Sequence, residues 1–225
     1  MKRAFQISFA SLVSVAAMLL LGAASGAVSF ADPPADTQAM MKGTQTAVIA
    51  GGCFWGMEGV FERLKGVVDA TSGYSGGEKD TAQYEVVSSG TTGHAESIQI
   101  HYNPAQISYG TLLKVFFSVA HDPTQLNFQG PDHGTQYRSV IFYSNDGQKQ
   151  VAEGYIRALD AAKLFPRPIV TQVVPLRAFY PAEEYHQKFL DNNPDYPYIV
   201  YWDLPKIANL QKVYPDLVAS RYAAR

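Results

Sequence analysis

The stretch Gly51-Gly52-Cys53-Phe54-Trp55-Gly56 constrains this chain more than any other, because it joins two segments of different period. Before it, Gln45–Ala50 is short, apolar and partly β-branched, which predicts a buried strand. After it, Met57, Val60, Phe61 and Leu64 recur at helical spacing, which predicts a helix from Phe54 to Leu64. Two glycines let the backbone turn tightly between them. The only cysteine of the sequence therefore falls at a helix N-terminus. Unpaired amides and the helix dipole there favour a negative sulfur. An ordinary thiol of pKa ~8.5 is only about 3% thiolate at neutral pH. Lowered by one or more units, Cys53 is expected to be largely thiolate. Phe54 and Trp55 set two aromatic rings beside it, a wall suited to a small apolar group. A lone cysteine is otherwise a small buried hydrophobe.

The rest of the sequence fits one globular domain with an appendage: 225 residues, 47% hydrophobic and 17% charged. A formal net charge of −2 and the lack of a basic patch argue against a nucleic-acid partner. The appendage is N-terminal. Lys2 and Arg3 precede an apolar run from Ala10 to Leu21 that is too short to span a bilayer comfortably. Ser29-Phe30-Ala31 then places small residues at cleavage offsets. Residues 1–31 are expected to be a secretory signal peptide, which implies a periplasmic protein with no membrane attachment after processing. Residues 32–44, with Pro33-Pro34, read as a linker, and 45–225 as the folded domain. With one cysteine the mature chain makes no internal disulfide.

Within the domain, Val67–Tyr74 predicts a second strand and Ser75–Gln83 a loop, followed by a short extended or turn segment over Tyr84–Ser88. His94–Tyr102 alternates as a strand, with Glu96 on the same face as Ile98 and Ile100. A carboxyl on an apolar face is either a perturbed acid or a salt-bridged strand end. Helices are expected from Ser108 to Ala120, from Asn145 or Asp146 to Leu164, over Pro181–Leu190 and over Pro205–Tyr214. Strands are expected over Ser139–Tyr143 and Ile169–Val174, with a long polar loop from His121 to Gln136. Several strands lack crossover lengths between them, so the fold class is α+β, with helices packed on a mixed sheet.

Gly51-Gly52-Cys53-Phe54-Trp55-Gly56, followed by Glu58 and Gly59-Val60-Phe61, resembles the signature of the A-type peptide-methionine sulfoxide reductases. The resemblance continues through Gly73-Tyr74-Ser75-Gly76-Gly77, Tyr84-Glu85-Val86-Val87, Gly93-His94-Ala95-Glu96-Ser97 and His121-Asp122-Pro123-Thr124. It runs on through Asp132-His133-Gly134-Thr135-Gln136-Tyr137-Arg138-Ser139 and Glu184-Tyr185-His186-Gln187, covering about residues 45 to 215 in order. It implies a two-layer α/β roll with a mainly antiparallel sheet.

Reducing a sulfoxide requires a soft nucleophile at sulfur, an acid for the oxygen, and donors that hold the oxygen as its charge grows. Cys53 fits the first role. The family's Gly-His-Ala-Glu motif assigns the second to Glu96. A solvated Glu is about 0.2% protonated at neutral pH, and raising its pKa to ~6 makes it roughly fifty times more often the acid. Desolvation beside Ile98 acts in that direction. The resemblance further implies Tyr84 and Tyr137 as phenolic donors, Asp132 on the substrate's polar side, and Phe54 and Trp55 around its methyl group. It implies methionine-S-sulfoxide as substrate, in oxidised proteins or free, and methionine plus a Cys53 sulfenic acid as the first products.

Many members carry resolving cysteines near the C-terminus. Here Asn193–Arg225 has none, and Tyr198-Ile199-Val200-Tyr201-Trp202-Asp203-Leu204-Pro205-Lys206 resembles the tails of members without one. An external thiol is then required: a thioredoxin-like protein, a glutaredoxin-like protein or a small thiol. No tightly bound cofactor is expected. His121, His133 and His186 match no metal template, so no metal is expected and loop hydrogen bonding is the simpler role. A monomer is the expected state. The competing functions are a cysteine hydrolase or acyltransferase using Cys53, and a non-catalytic module that binds methionine peptides.

Overall fold

The structure, a computed structural model, describes residues 30–33 and 43–222. The expected signal peptide lies outside the described residues apart from Phe30 and Ala31, as does most of the expected linker. Phe30–Pro33 lies on the domain. Tyr155 donates its hydroxyl to the Ala31 carbonyl at 3.0 Å, and Lys114 pairs with Asp32 at 2.7 Å.

The chain runs β1 (Gln45–Ala50), α1 (Phe54–Glu62), β2 (Val67–Ser75), α2 (Tyr84–Val87), β3 (Ala95–Tyr102) and α3 (Tyr109–Val115). It continues through β4 (Phe128–Gln129), β5 (Asp132–His133), β6 (Val140–Tyr143), α4 (Asp146–Ala161), β7 (Gln172–Pro175), β8 (Phe179–Pro181), α5 (Phe189–Asn192) and α6 (Leu204–Val213). Six strands form one sheet in the order β7-β6-β1-β3-β2-β8. All neighbours are antiparallel except β6 and β7, so the sheet is mixed and mainly antiparallel, as the sequence implies. The two prolines of the outer strands, Pro175 and Pro181, sit at the sheet edges, where a missing N–H costs no ladder bond.

Alternation along β1 and β3 divides the core. Ala47, Ile49, Ile98 and Ile100 face the helices, where Phe54, Met57, Phe61, Leu112, Phe116 and Leu210 pack among them. Val48, Ala50 and Ala95 face the other side with Val140 and Phe142, covered by Leu176 and Phe179. Each large apolar side chain fully buried in this way contributes about 1.5–3 kcal/mol. Ser108 caps α3 by accepting from the Thr111 N–H, and Asn145 caps α4 by accepting from the Gln148 N–H.

Four local expectations are refined or corrected. Of the extended and turn alternatives, Tyr84–Val87 takes the turn, as one turn of helix, because the Glu183 carboxylate accepts the Tyr84 N–H at its first position. Pro181–Leu190 is not a helix. Pro181 is paired in the sheet, the Gln187 amide bonds Ser72 on both backbone groups, and Lys188 takes a left-handed φ of 52°. Tertiary hydrogen bonds override the helical spacing there. The polar loop after His121 contains the β4–β5 hairpin, which folds back over the Cys53 turn. The strand expected over Ile169–Val174 is β7, which starts at Gln172 and includes Pro175, and a further strand, β8, follows it.

Candidate active site

The Gly-Gly turn is shaped by what lies against it. Gly52 has φ +96°, and a Cβ there would stand 2.5 Å from the Gln129 side chain. A Cβ on Gly51 would meet Phe116 at 2.9 Å and His121 at 3.0 Å. His121 is itself fixed by bonds to the Phe116 carbonyl at 2.9 Å and the Ser139 hydroxyl at 2.7 Å. The turn thus delivers Cys53 as the N-cap residue of α1, 8% exposed, between the sheet, the β4–β5 hairpin and the C-terminal segment.

Glu96 on β3 reaches the same helix end. Phe54 donates its backbone N–H to Glu96 Oε2 at 3.1 Å. The carboxyl is 3% exposed, and burial pushes its pKa up to about 8; the Phe54 N–H opposes this and the Asp132 charge adds to it. Glu96 is therefore the protonated acid at neutral pH, a larger shift than desolvation beside Ile98 suggests from sequence.

The thiol goes the other way from its expectation. Burial raises the Cys53 pKa well above the ordinary range, and the negative charges of Glu96, Asp203 and Asp132 add to it. The Trp55 N–H at the helix end lowers it, but does not prevail. The helix N-terminus is present; desolvation and three carboxyl groups outweigh it. At rest the site holds a neutral thiol beside a neutral acid.

Tyr84 and Tyr137 are both half-buried, and both phenols are raised by burial and by the charges of Glu96 and Cys53, which places them in one electrostatic cluster with the thiol. Neither ionises near neutral pH, so each is available as a donor. Asp132 accepts a short hydrogen bond from the Tyr198 hydroxyl. Phe54 is fully buried, its ring against Tyr74 and His186. Trp55 stacks on Phe189 at 3.8 Å, meets Tyr198 edge-on at 5.8 Å, and donates its indole N–H to His186 Nδ1 at 3.1 Å.

A cavity of about 200 Å³ opens over Cys53. Its lining includes Gln129, Asp132, Tyr198, Trp202 and Lys206, but not Phe54 or Trp55, nor Glu96, Tyr84 or Tyr137. The sequence reading missed several of these groups. Tyr198 sits beside Asp132, Glu183 holds both Tyr74 and Tyr84, and His186 anchors Trp55. Asp203 stands buried under the first turn of α1. The motifs Glu184-Tyr185-His186-Gln187 and Tyr198–Lys206 carry a signal for His186, Tyr198 and Asp203, while Glu183 and the partners of these groups carry none.

A buried thiol, a protonated carboxyl and neutral phenols in one electrostatic cluster fit the class of cysteine-based oxidoreductases. The sequence profile of the family described as peptide methionine sulfoxide reductase matches residues 45–217, and the chain belongs to that family. It is similar to the peptide methionine sulfoxide reductase MsrA 2 of Mesorhizobium japonicum, 62% identical over 179 residues, which cover 80% of this chain and 92% of the relative. The corresponding protein of Synechocystis is 55% identical over 175 residues, covering 78% and 82%. Among solved structures, methionine sulfoxide reductase A of Corynebacterium diphtheriae aligns with a TM-score of 0.60 at 35% identity, covering 69% of this chain and 78% of that one. Reduced Mxr1 of Saccharomyces cerevisiae aligns at 0.63 and 38%, covering 68% and 87%. The enzyme is thus an oxidoreductase that reduces methionine sulfoxide with thiols, and the hydrolase and binding-module readings are not favoured.

Proposed function

We propose that Cys53 is the nucleophile and Glu96 the acid in reduction of the S epimer of methionine sulfoxide, protein-bound or free. The observation that carries this is the Phe54 N–H to Glu96 Oε2 bond, which ties a protonated carboxyl to the helix end bearing the thiol. Cys53 attacks the sulfoxide sulfur as Glu96 protonates the oxygen. The proton leaving the thiol returns to the Glu96 carboxylate. The hydroxyl then passes to the Cys53 sulfur as both the substrate's S–O bond and its new bond to Cys53 break, leaving methionine and a Cys53 sulfenic acid, so the substrate gains the two electrons that Cys53 loses. Tyr84 and Tyr137 donate to the oxygen while its charge develops. Asp132, held by Tyr198, takes the substrate's polar side, and Trp55 borders its methyl group.

No second cysteine exists in the sequence, so an external thiol, from a thioredoxin-like or glutaredoxin-like protein or a small molecule, returns Cys53 to its reduced form. We also propose that Lys2, Arg3 and the Ala10–Leu21 run direct export to the periplasm, where the enzyme repairs oxidised proteins as a monomer.

The test is mass spectrometry of the purified protein with one equivalent of L-methionine-S-sulfoxide and no reductant. One oxygen on the Cys53 peptide, trapped by a sulfenic-acid probe, with one methionine released, is the expected result. The same adduct from the R epimer would overturn the stereochemistry, and no adduct from either would overturn the sulfenic-acid route.

A further inference from the structure

The C-terminal segment places an ion pair beneath the reactive sulfur. Asp203 is 0% exposed and accepts from Lys206 Nζ at 3.0 Å through Oδ1. Its other oxygen, Oδ2, is buried with no hydrogen-bond partner among the described residues. The pair presses on the first turn of α1 so closely that a Cβ on Gly56 would stand 2.0 Å from Asp203 Oδ1 and 3.0 Å from Lys206 Nζ. Lys206 also lines the cavity over Cys53, where it is the only cationic side chain, facing Asp132, Tyr198, Gln129 and Trp202. An isolated buried carboxylate is costly, so this one is held for its cation.

The cavity offers an approach to Cys53 lined by Lys206 and not by Glu96, Tyr84 or Tyr137. A reductant that enters by this cavity reaches Cys53 past Lys206, the one cationic side chain of its lining.

We infer that Lys206, anchored by Asp203, is the residue that receives the external reductant as a thiolate over Cys53, an inference that rests on the sulfenic-acid route above. The step is balanced. The thiolate forms the new S–S bond as the Cys53 S–O bond breaks, and the Glu96 carboxyl protonates the departing hydroxide to water. The proton lost when the reductant ionised restores Glu96. A second equivalent of thiol then cleaves the mixed disulfide, releasing reduced Cys53 and the oxidised reductant. Lys206 raises the thiolate's local concentration and stabilises its charge during attack.

The experiment separates the two half-reactions. Sulfenic enzyme is formed with one equivalent of methionine sulfoxide, then mixed with 2-mercaptoethanesulfonate, 2-mercaptoethanol or cysteamine, and the second-order rates are corrected for thiolate fraction. The unaltered enzyme is expected to favour the anionic thiol over the cationic one by about tenfold. Lys206→Met is expected to slow the anionic thiol about tenfold and flatten the series, with a smaller loss in the methionine-release burst; Lys206→Arg restores the preference. Should the single variant fold poorly, Asp203→Asn with Lys206→Met removes both charges and gives the same flattening. Reduced thioredoxin, run in parallel, identifies the source: an equal loss means a protein thiolate enters the cavity, and a loss confined to small thiols means a small one does. An unchanged rate and charge order in both the single and the double variant would overturn the role of Lys206. Absence of the burst in unaltered enzyme would instead overturn the route beneath it.

Discussion

Glu96 and Phe54 are joined by a single hydrogen bond, 3.1 Å from the Phe54 N–H to Glu96 Oε2, between the sheet and the first residue of the helix that carries Cys53. The carboxyl's folded pKa of about 8 lies above its ordinary 4.5. Methionine release is expected to fall as pH rises through about 8, because the acid is lost. Glu96→Gln is expected to cost roughly 10²–10⁴-fold in that step. Stability follows the same ionisation: Glu96's contribution is fully present below 4.5 and is lost as pH rises through 8. The Gln variant should therefore melt higher than the parent at pH 8, by on the order of 5 °C, and not at pH 4. A parent-like melting point at pH 8 would refute the buried, raised carboxyl.

Helical glycines usually gain up to about 1 kcal/mol on replacement by alanine. Gly56 should do the reverse, because its Cβ would strike Asp203 Oδ1 at 2.0 Å and Cγ at 2.6 Å within a bonded pair. Urea denaturation of Gly56→Ala should show a loss of about 1–3 kcal/mol. Gly59→Ala meets the Leu190 side chain, nearest at the Cδ1 methyl at 2.7 Å, a flexible end, and should fall within about 1 kcal/mol of the parent. Equal losses would contradict a rigid pair at Gly56.

Glu58, on α1, ties the helix to distant backbone. It accepts from the Ser72 hydroxyl at 2.8 Å and from the Lys188 N–H at 3.1 Å, and burial raises it to about 7. Glu58→Ala leaves both donors without that acceptor and should cost about 2–3 kcal/mol. Glu58→Gln keeps an acceptor oxygen. Since the native carboxyl's contribution fades as pH rises from 4.5 through 7, the Gln variant's deficit should shrink between pH 5 and pH 8. Melting curves at the two pH values decide it.

Asp203 is one of the charges that hold the Cys53 thiol up. Asp203→Asn removes that charge and frees the Lys206 cation, and both changes lower the thiol pKa. Iodoacetamide alkylation of Cys53 as a function of pH should shift to lower pH. A shift upward, or none, would show that desolvation alone sets the thiol.

The sequence made Cys53 legible for a local reason, since it lies where a strand period becomes a helix period. Glu96 stands as a carboxyl on an apolar strand face, which alone left two roles open, and the Gly-His-Ala-Glu motif chose between them. The two central strands were legible because β1 is a short apolar, partly β-branched run and β3 alternates. Hidden were contacts made across the chain. Glu183 sets the turn at Tyr84 from 99 residues away, and Trp55 meets His186 across 131. Asp203 stands directly before Leu204-Pro205, where an aspartate reads as a helix cap. Its side chain makes no capping bond and turns instead to Lys206 and Gly56. The thiol's direction was misread for the same reason: the helix end is local, while Glu96, Asp132 and Asp203 arrive from elsewhere.

Burial of Cys53 among carboxyl groups also decides how this enzyme lives with oxidants. Peroxides and alkylating agents consume thiolates, and a sulfur held protonated offers them little. The burial that raises the thiol thus also shields it from reagents that thiolates attract.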